Sequence, residues 1–217
     1  MKTHYYLGWF NNSFPEHLGS VLQEDITDRK SLAMISSNPS IYEDDVATER
    51  SWLDQAGIIF DEYHFIDYRI QKEDAQRLIH NASVIFLCGG DPVLQNDFLA
   101  DYELSNVIKN SNAVIIGASA GAINMAAKWL CLKNTGNEVE ISTIYDGIGF
   151  DHFAYESHSK RDYATFVQGY LFPLSEEIDV YAAEQESAMR VKDGKIDIMG
   201  PVYLISHSKI QKLDETL

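Results

Sequence analysis

Ala113 to Ala127 reads AVIIGASAGAINMAA. An apolar run enters Gly117-Ala118-Ser119-Ala120-Gly121, and a helix-forming run comes after it. A short apolar run closed by glycine reads as a strand buried on both faces. G-x-S-x-G at such a strand-to-helix junction is the pattern of a nucleophile elbow. Small neighbours let the backbone turn sharply, so the Ser119 hydroxyl projects from the carboxyl end of the strand. The amide of Ala120 then starts a helix, where unpaired N–H groups and the helix dipole favour an oxyanion.

The chain on either side repeats the same rhythm. Tyr5 to Phe10, Ser31 to Ile35, Tyr63 to Ile66 and Ser83 to Leu87 read as strands. His17 to Asp25, Asp44 to Gln55, Lys72 to His80 and Leu94 to Ile108 read as the helices between them. Short apolar strands alternating with helices predict a mostly parallel sheet covered on both faces. The last forty residues change character. Glu177 to Tyr181, Ala188 to Lys192, Lys195 to Met199 and Val202 to Ser206 are strand candidates, with Asp193-Gly194 as a hairpin turn. They predict an antiparallel extension on one edge of the sheet. No linker, repeat or low-complexity tract interrupts the chain, so residues 1–217 are expected to form one domain.

Composition narrows the partners. The 217 residues carry 17 Lys and Arg against 33 Asp and Glu, a formal net charge of −16. That balance argues against a nucleic acid, which needs clustered cations, and against an anionic membrane surface. A hydrophobic share of 45% with 23% charged residues is that of an ordinary globular chain. Cys88 and Cys131 make no disulfide framework and no C-x-x-C motif. Met1 to Phe10 lacks a basic region and a long apolar run, so no signal peptide is expected, and a soluble cytoplasmic location is.

A second turn has the grammar of the first. In Phe86-Leu87-Cys88-Gly89-Gly90-Asp91 a strand again ends in glycines before a helix that starts near Pro92. Adjacent parallel strands would set this turn beside Ser119, where the Gly90 amide could supply a second oxyanion donor. No third glycine at P-loop spacing and no Lys-Ser/Thr pair are found there, which disfavours phosphate binding.

GGD before a helix, GASAGA at a strand end, and His152-Phe153 with Arg161 nine residues on together resemble the peptidase E family. That family includes alpha-aspartyl dipeptidases and is related to cyanophycinase. The resemblance spans roughly residues 80 to 206. It implies a fold similar to class I glutamine amidotransferases, with serine in place of their cysteine. The expected class is therefore α/β, a flavodoxin-like three-layer sandwich with a mostly parallel central sheet and a C-terminal antiparallel extension.

The resemblance also assigns roles. The family's H-F pair carries the base, which falls here on His152. His158, at the start of a helix read as Ser159 to Leu171, is the competitor, with Ser159 and Asp162 in a capping pattern. The family's acidic triad position aligns with Gln185, and one residue of loop slack brings in Glu184 or Glu186. Glu184 is favoured; Asp146 and Asp151 are further candidates. Arg161 would read the side chain of an N-terminal aspartate, since a guanidinium fork suits a carboxylate.

The implied activity is hydrolysis of a peptide or related amide bond through an acyl-serine. Ser119 attacks, the histidine shuttles the proton, Glu184 orients it, and the amides of Gly90 and Ala120 hold the oxyanion. No metal or organic cofactor is expected, because no ligand cluster shows in the sequence. The expected partner is a small peptide or amide substrate, and a homodimer is compatible with the chain. Two alternatives stand: another acyl hydrolase such as an esterase or omega-amidase, and a non-catalytic binding member of the fold, to which Gln185 points.

Overall fold

Parallel pairing of the early strands sets the frame. The computed structural model describes residues 2–38, 44–133, 139–157 and 166–217. In chain order the first half runs β1 (Thr3–Leu7), α1 (Glu16–Asp25), β2 (Ser31–Ile35), α2 (Asp44–Gln55), β3 (Glu62–Ile66), α3 (Lys72–Asn81), β4 (Val84–Leu87), α4 (Pro92–Asp101), α5 (Leu104–Asn110), β5 (Val114–Ala118) and α6 (Ala120–Met125). The second half runs β6 (Lys128–Cys131), β7 (Thr143–Asp146), β8 (Ala154–Ser157), a π-helical turn (Val167–Leu171), α7 (Phe172–Ser175), β9 (Val180–Ala183), β10 (Ala188–Lys192), β11 (Lys195–Met199), β12 (Val202–Ser206) and β13 (Lys209–Lys212).

The main sheet has seven strands in the order β11-β10-β1-β5-β4-β2-β3. From β1 to β3 every neighbouring pair is parallel. The carboxyl ends of β1, β5, β4 and β2 therefore share one edge, the usual ligand side of an open α/β sheet. Alternate residues of each strand face opposite layers. Tyr5 and Leu7 pack with Leu18, Leu22, Trp52 and Leu53 of α1 and α2. Tyr6 packs on the other face among Ala75, Ile79, Phe98 and Met125 of α3 to α6.

Three sequence expectations change. The single helix expected over Leu94 to Ile108 is two, broken at Glu103, which adopts a left-handed φ of 53°. The break re-phases the chain so that Leu104 and Ile108 reach the same core as Phe98 and Leu99. The C-terminal extension is also divided. Only β10 and β11 join the main sheet, antiparallel beside β1. β9 and β12 enter a second sheet of order β13-β12-β9-β8-β6-β7. That sheet packs on the α3-to-α6 face, where Tyr6 meets Phe153 at 5.0 Å and Tyr155 at 5.4 Å between ring centroids. Its other face buries Val180, Ala182 and Ile205 against Leu171 and Leu174. Of the helix read as Ser159 to Leu171, residues 159–165 lie outside the described part; Val167–Leu171 forms the π-helical turn, which runs on into α7.

One ionic cluster locks the antiparallel strands to the parallel ones. Asp25, at the last turn of α1, accepts from Arg190 Nε at 2.7 Å and Nη2 at 2.9 Å, from Lys192 Nζ at 2.7 Å and from the Tyr5 hydroxyl at 2.6 Å. Burial alone would raise this carboxyl, but the bonds from Arg190, Lys192 and Tyr5 outweigh it and hold it at about 2. A depressed carboxylate stabilises the fold above its unfolded value and loses that contribution as pH falls through its folded one. Asp25→Ala, which leaves Arg190 its bond to Asp197 at 3.0 Å, is expected to cost roughly 1.5–3 kcal/mol in urea unfolding at neutral pH. The gap to wild type should shrink as pH falls from about 4 toward 2; an unchanged gap would show that the cluster is not the source.

Candidate active site

Ser119 follows the last residue of β5 and caps the start of α6 with φ 49° and ψ −109°. Non-glycine residues avoid this region, and one held there marks a strained functional turn. Three features hold it. The Ser119 amide donates to Leu7 O at 2.9 Å. The Ser119 carbonyl accepts from Ile123 N at 3.0 Å, the first bond of α6. The two flanking glycines leave no room for side chains. A Cβ on Gly117 would stand 2.5 Å from Met125 Sδ and 2.6 Å from Ala122 N. One on Gly121 would stand 2.0 Å from the Leu87 carbonyl oxygen. The motif's glycines are thus demanded by α6 folding back onto β5 and β4. Ser119 itself is only 8% exposed.

The Gly89–Gly90 turn lies beside it. Leu87 is the register partner of Gly117, so both turns leave the same edge of adjacent strands. Gly90 adopts φ 127°, which favours glycine, and a Cβ there would sit 2.2 Å from Ser37 Oγ. Asp91 then caps α4, its Oδ1 accepting from Val93 N at 2.8 Å and Leu94 N at 3.1 Å. Among the described residues, no protein acceptor takes the amide of Gly90 or of Ala120.

A buried polar network fixes the two turns relative to each other. Gln95 Nε2 donates to Cys88 O at 3.0 Å and Ile35 O at 3.3 Å. Asn124 Nδ2 donates to Gln95 Oε1 at 3.1 Å and Pro92 O at 2.9 Å. Asn96 Nδ2 donates to Asn124 Oδ1 at 3.0 Å. Sequence reading missed these residues. The available signal was a lone asparagine inside the apolar AINMAA run.

The candidate triad partners separate. β8 runs parallel to β9 with Ser157 opposite Ala183, so both strands end on the edge where Glu184 begins. Glu184 adjoins the end of β1, because a Cβ on Gly8 would meet Glu184 O at 2.8 Å. The Glu184 carboxylate accepts from the Tyr203 hydroxyl at 3.0 Å. Gln185 is exposed. Glu186 turns away to Asn11 Nδ2 at 3.0 Å. Asp146, on β7, is exposed and pairs with Lys128 at 3.0 Å across the β6–β7 ladder. Asp151 accepts from Tyr6 Oη at 2.7 Å and bonds His4 Nδ1 at 2.9 Å.

His152 precedes β8 and is exposed. Its neighbour Phe153 accepts from Ala127 N, and Phe150 N donates to Met125 O, so this segment lies past the far end of α6. Six helical residues rise about 9 Å. His152 lies on this segment between Asp151, which bonds His4 and Tyr6, and Phe153. His158 and Arg161 lie outside the described residues.

A family model described as peptidase family S51 matches residues 16–199. The chain belongs to peptidase family S51. It is a serine-type peptidase, and Ser119 stands in the elbow of an S51 fold. Two solved structures share that fold. A crystal structure of a peptidase from an acI-B1 Actinobacterium superposes with a TM-score of 0.73 at 17% identity, over 99% of this chain and 95% of that one. The structure of a putative peptidase E protein from Listeria monocytogenes EGD-e gives a TM-score of 0.65 at 14% identity, over 92% and 98%. No curated protein matches the chain. No described helix is long and apolar enough to cross a membrane.

Beyond Gly90 this S51 peptidase has an open groove between the start of α4 and the β6–β7 hairpin, lined by Leu94, Asp97, Ile141, Thr143 and Tyr145. Burial, then the charges of Asp101 and Asp91, raises the Asp97 carboxyl. On β8, Glu156 has no described partner, and burial pushes its carboxyl up to about 8. The native state therefore holds a proton that the unfolded chain releases near 4.5. A raised carboxyl makes the fold most stable below its unfolded value and less so as pH climbs toward its folded one. Glu156→Gln should remove much of the stability lost between about pH 5 and 8. Urea unfolding at the two pH values tests this; equal pH dependence in both proteins would refute it.

Proposed function

We propose that the protein hydrolyses a peptide bond of a small peptide through an acyl-serine on Ser119, as a cytoplasmic dipeptidase acting after an N-terminal aspartate. The observation that carries the chemistry is the strained Ser119 backbone, set between two amides, of Gly90 and Ala120, that no described protein group takes. A hydroxyl on such a turn is exposed to a carbonyl, and two preorganised N–H donors stabilise the charge that develops on its oxygen. Ser119 Oγ attacks the carbonyl carbon and the C–N bond breaks. The proton from Oγ passes through a histidine to the leaving amine, and water then releases the acyl group.

His158 is the base in this reading. It is the residue after Ser157, which pairs across the ladder with Ala183, the residue before Glu184. Glu184 orients the imidazole and stabilises its protonated form. His152 is the competing base. Ser119→Ala is expected to lower kcat by on the order of 10⁶, and His158→Ala by on the order of 10³ or more. His152→Ala should stay near wild type. The kcat/KM profile should rise through an acidic limb near pH ~6.5, since a neutral imidazole is required. Full activity in His158→Ala with a collapse in His152→Ala would exchange the two assignments. Activity retained at a tenth in Ser119→Ala would remove the nucleophile.

Arg161 is the proposed reader of the substrate carboxylate. A charge-assisted contact is worth about 1.5–3 kcal/mol, so an aspartyl substrate should outrun its asparaginyl isostere roughly 10- to 150-fold. Arg161→Ala should erase that ratio through the aspartyl substrate alone. Equal kcat/KM for the two substrates on wild type would leave the serine chemistry standing and end the aspartyl assignment.

A further inference from the structure

The backbone of the Gly89–Gly90 turn can be accounted for group by group. The Cys88 amide donates to Ile35 O at 3.0 Å. The Cys88 carbonyl accepts from Gln95 Nε2 at 3.0 Å. The Gly89 amide donates to Glu49 Oε1 at 2.6 Å. The Gly89 carbonyl accepts from the Ser37 hydroxyl. The next group along the chain is the Gly90 N–H, the first that no described protein acceptor takes.

Both gripping side chains are buried. Ser37 is 5% exposed, two residues beyond β2; Glu49 on α2 is wholly buried. On α2, Glu49 occupies the inner face with Trp52 and Leu53, where an apolar residue would be expected. A buried carboxyl on a backbone amide at that distance is a strong hydrogen bond. It secures the peptide that leads into Gly89.

The Ser37 bond sets the direction of the next peptide. Gly89–Gly90 is a trans peptide, in which C=O and N–H point opposite ways. Ser37 holds the carbonyl from the β2 side of β4. The Gly90 N–H is thereby turned to the other side, toward β5 and Ser119, which borders β4 there. The positive φ of Gly90 and the absence of its Cβ allow Ser37 to come this close.

We propose that Ser37 is a positioning residue for the oxyanion site: its hydroxyl, by holding the Gly89 carbonyl, aims the Gly90 N–H at the carbonyl oxygen of a substrate on Ser119, while Glu49 fixes the preceding peptide. The proposal rests on the acyl-serine reading and adds to it the group that orients one donor. Ser37 touches no reacting atom. Its loss frees the peptide to rotate, so the donor is misaligned rather than removed. Complete removal of one oxyanion donor costs about 10²–10³ in rate; misalignment should cost roughly 10- to 100-fold.

The test is phosphonylation of Ser119 by a fluorophosphonate probe, followed by intact mass for the full-length wild type, Ser37→Ala and Ser37→Thr. The maximal labelling rate of Ser37→Ala should fall roughly 10- to 100-fold while the probe concentration for half-maximal rate stays within about twofold. Ser37→Thr, which keeps the hydroxyl, should recover most of the rate. A destabilised fold alone would not produce this split or the rescue, and thermal melting of each variant confirms that it is folded at the assay temperature. A Ser37→Ala rate within about twofold of wild type overturns the proposal, as does an equal fall in both variants. Wild type that takes no label overturns the acyl-serine reading and this proposal with it, whereas a labelled wild type keeps the two questions separate.

Discussion

The approach of α6 to the end of β4 is the constraint on which the site depends. The Gly121 α-carbon lies so near the Leu87 carbonyl that a Cβ would stand 2.0 Å from its oxygen. No side chain fits that gap, and the backbone on either side is hydrogen-bonded into β4, β5 and α6. Because α6 starts this close to the sheet, the chain leaving β5 must reverse within one residue. Ser119 takes up that reversal in a strained conformation. The same contact sets the Ser119 turn against the strand that leads to Gly90. Nucleophile and donor are thus fixed by one packing decision, made by residues with almost no side chain. Strain of this kind persists only where the surroundings over-determine it. Here the Gln95–Asn124 network and the Leu7 carbonyl supply the surroundings.

The second constraint is electrical and lies away from the site. Asp25 ties α1 to β10 through Arg190 and Lys192, and Tyr5 of β1 adds its hydroxyl. β10 is antiparallel to β1, and the cluster adds to the ladder and to the core packing of Ala188, Met189 and Val191. Through β10 the chain reaches Ser187, whose carbonyl accepts the Gly8 amide at 2.9 Å, and so the turn that carries Glu184. An acidic chain of net charge −16 thus places two cations where they hold α1 and β1 to β10.

The parallel half of the fold was legible because its signals are long and repeated. Strand and helix alternate from β1 to α6, and both glycine turns fall at strand ends as their composition requires. The second sheet was not legible. Five of its strands, β6, β7, β8, β9 and β13, are four residues long, and β7 and β13 present no buried residue. Periodicity has little to work on at that length. β9 and β12 were visible as strands, but nothing local says which sheet a strand joins. β8 was likewise not read; it runs from Ala154 to Ser157, between the H-F pair at 152–153 and His158 in the sequence. Glu49 was hidden in plain view as a charge on the inner face of an amphipathic helix, while Ser37 carried no sequence signal at all.

In the proposed chemistry Ser119, Gly90 and Ala120 form one preorganised site for an oxyanion. A crystal structure of the protein phosphonylated on Ser119 measures this directly, because the phosphonyl oxygen occupies the place of the developing charge. That oxygen is predicted to lie within about 2.7–3.1 Å of both the Gly90 and Ala120 nitrogens, with the turn unmoved. A phosphonyl oxygen facing solvent, or an adduct on any residue other than Ser119, would contradict it.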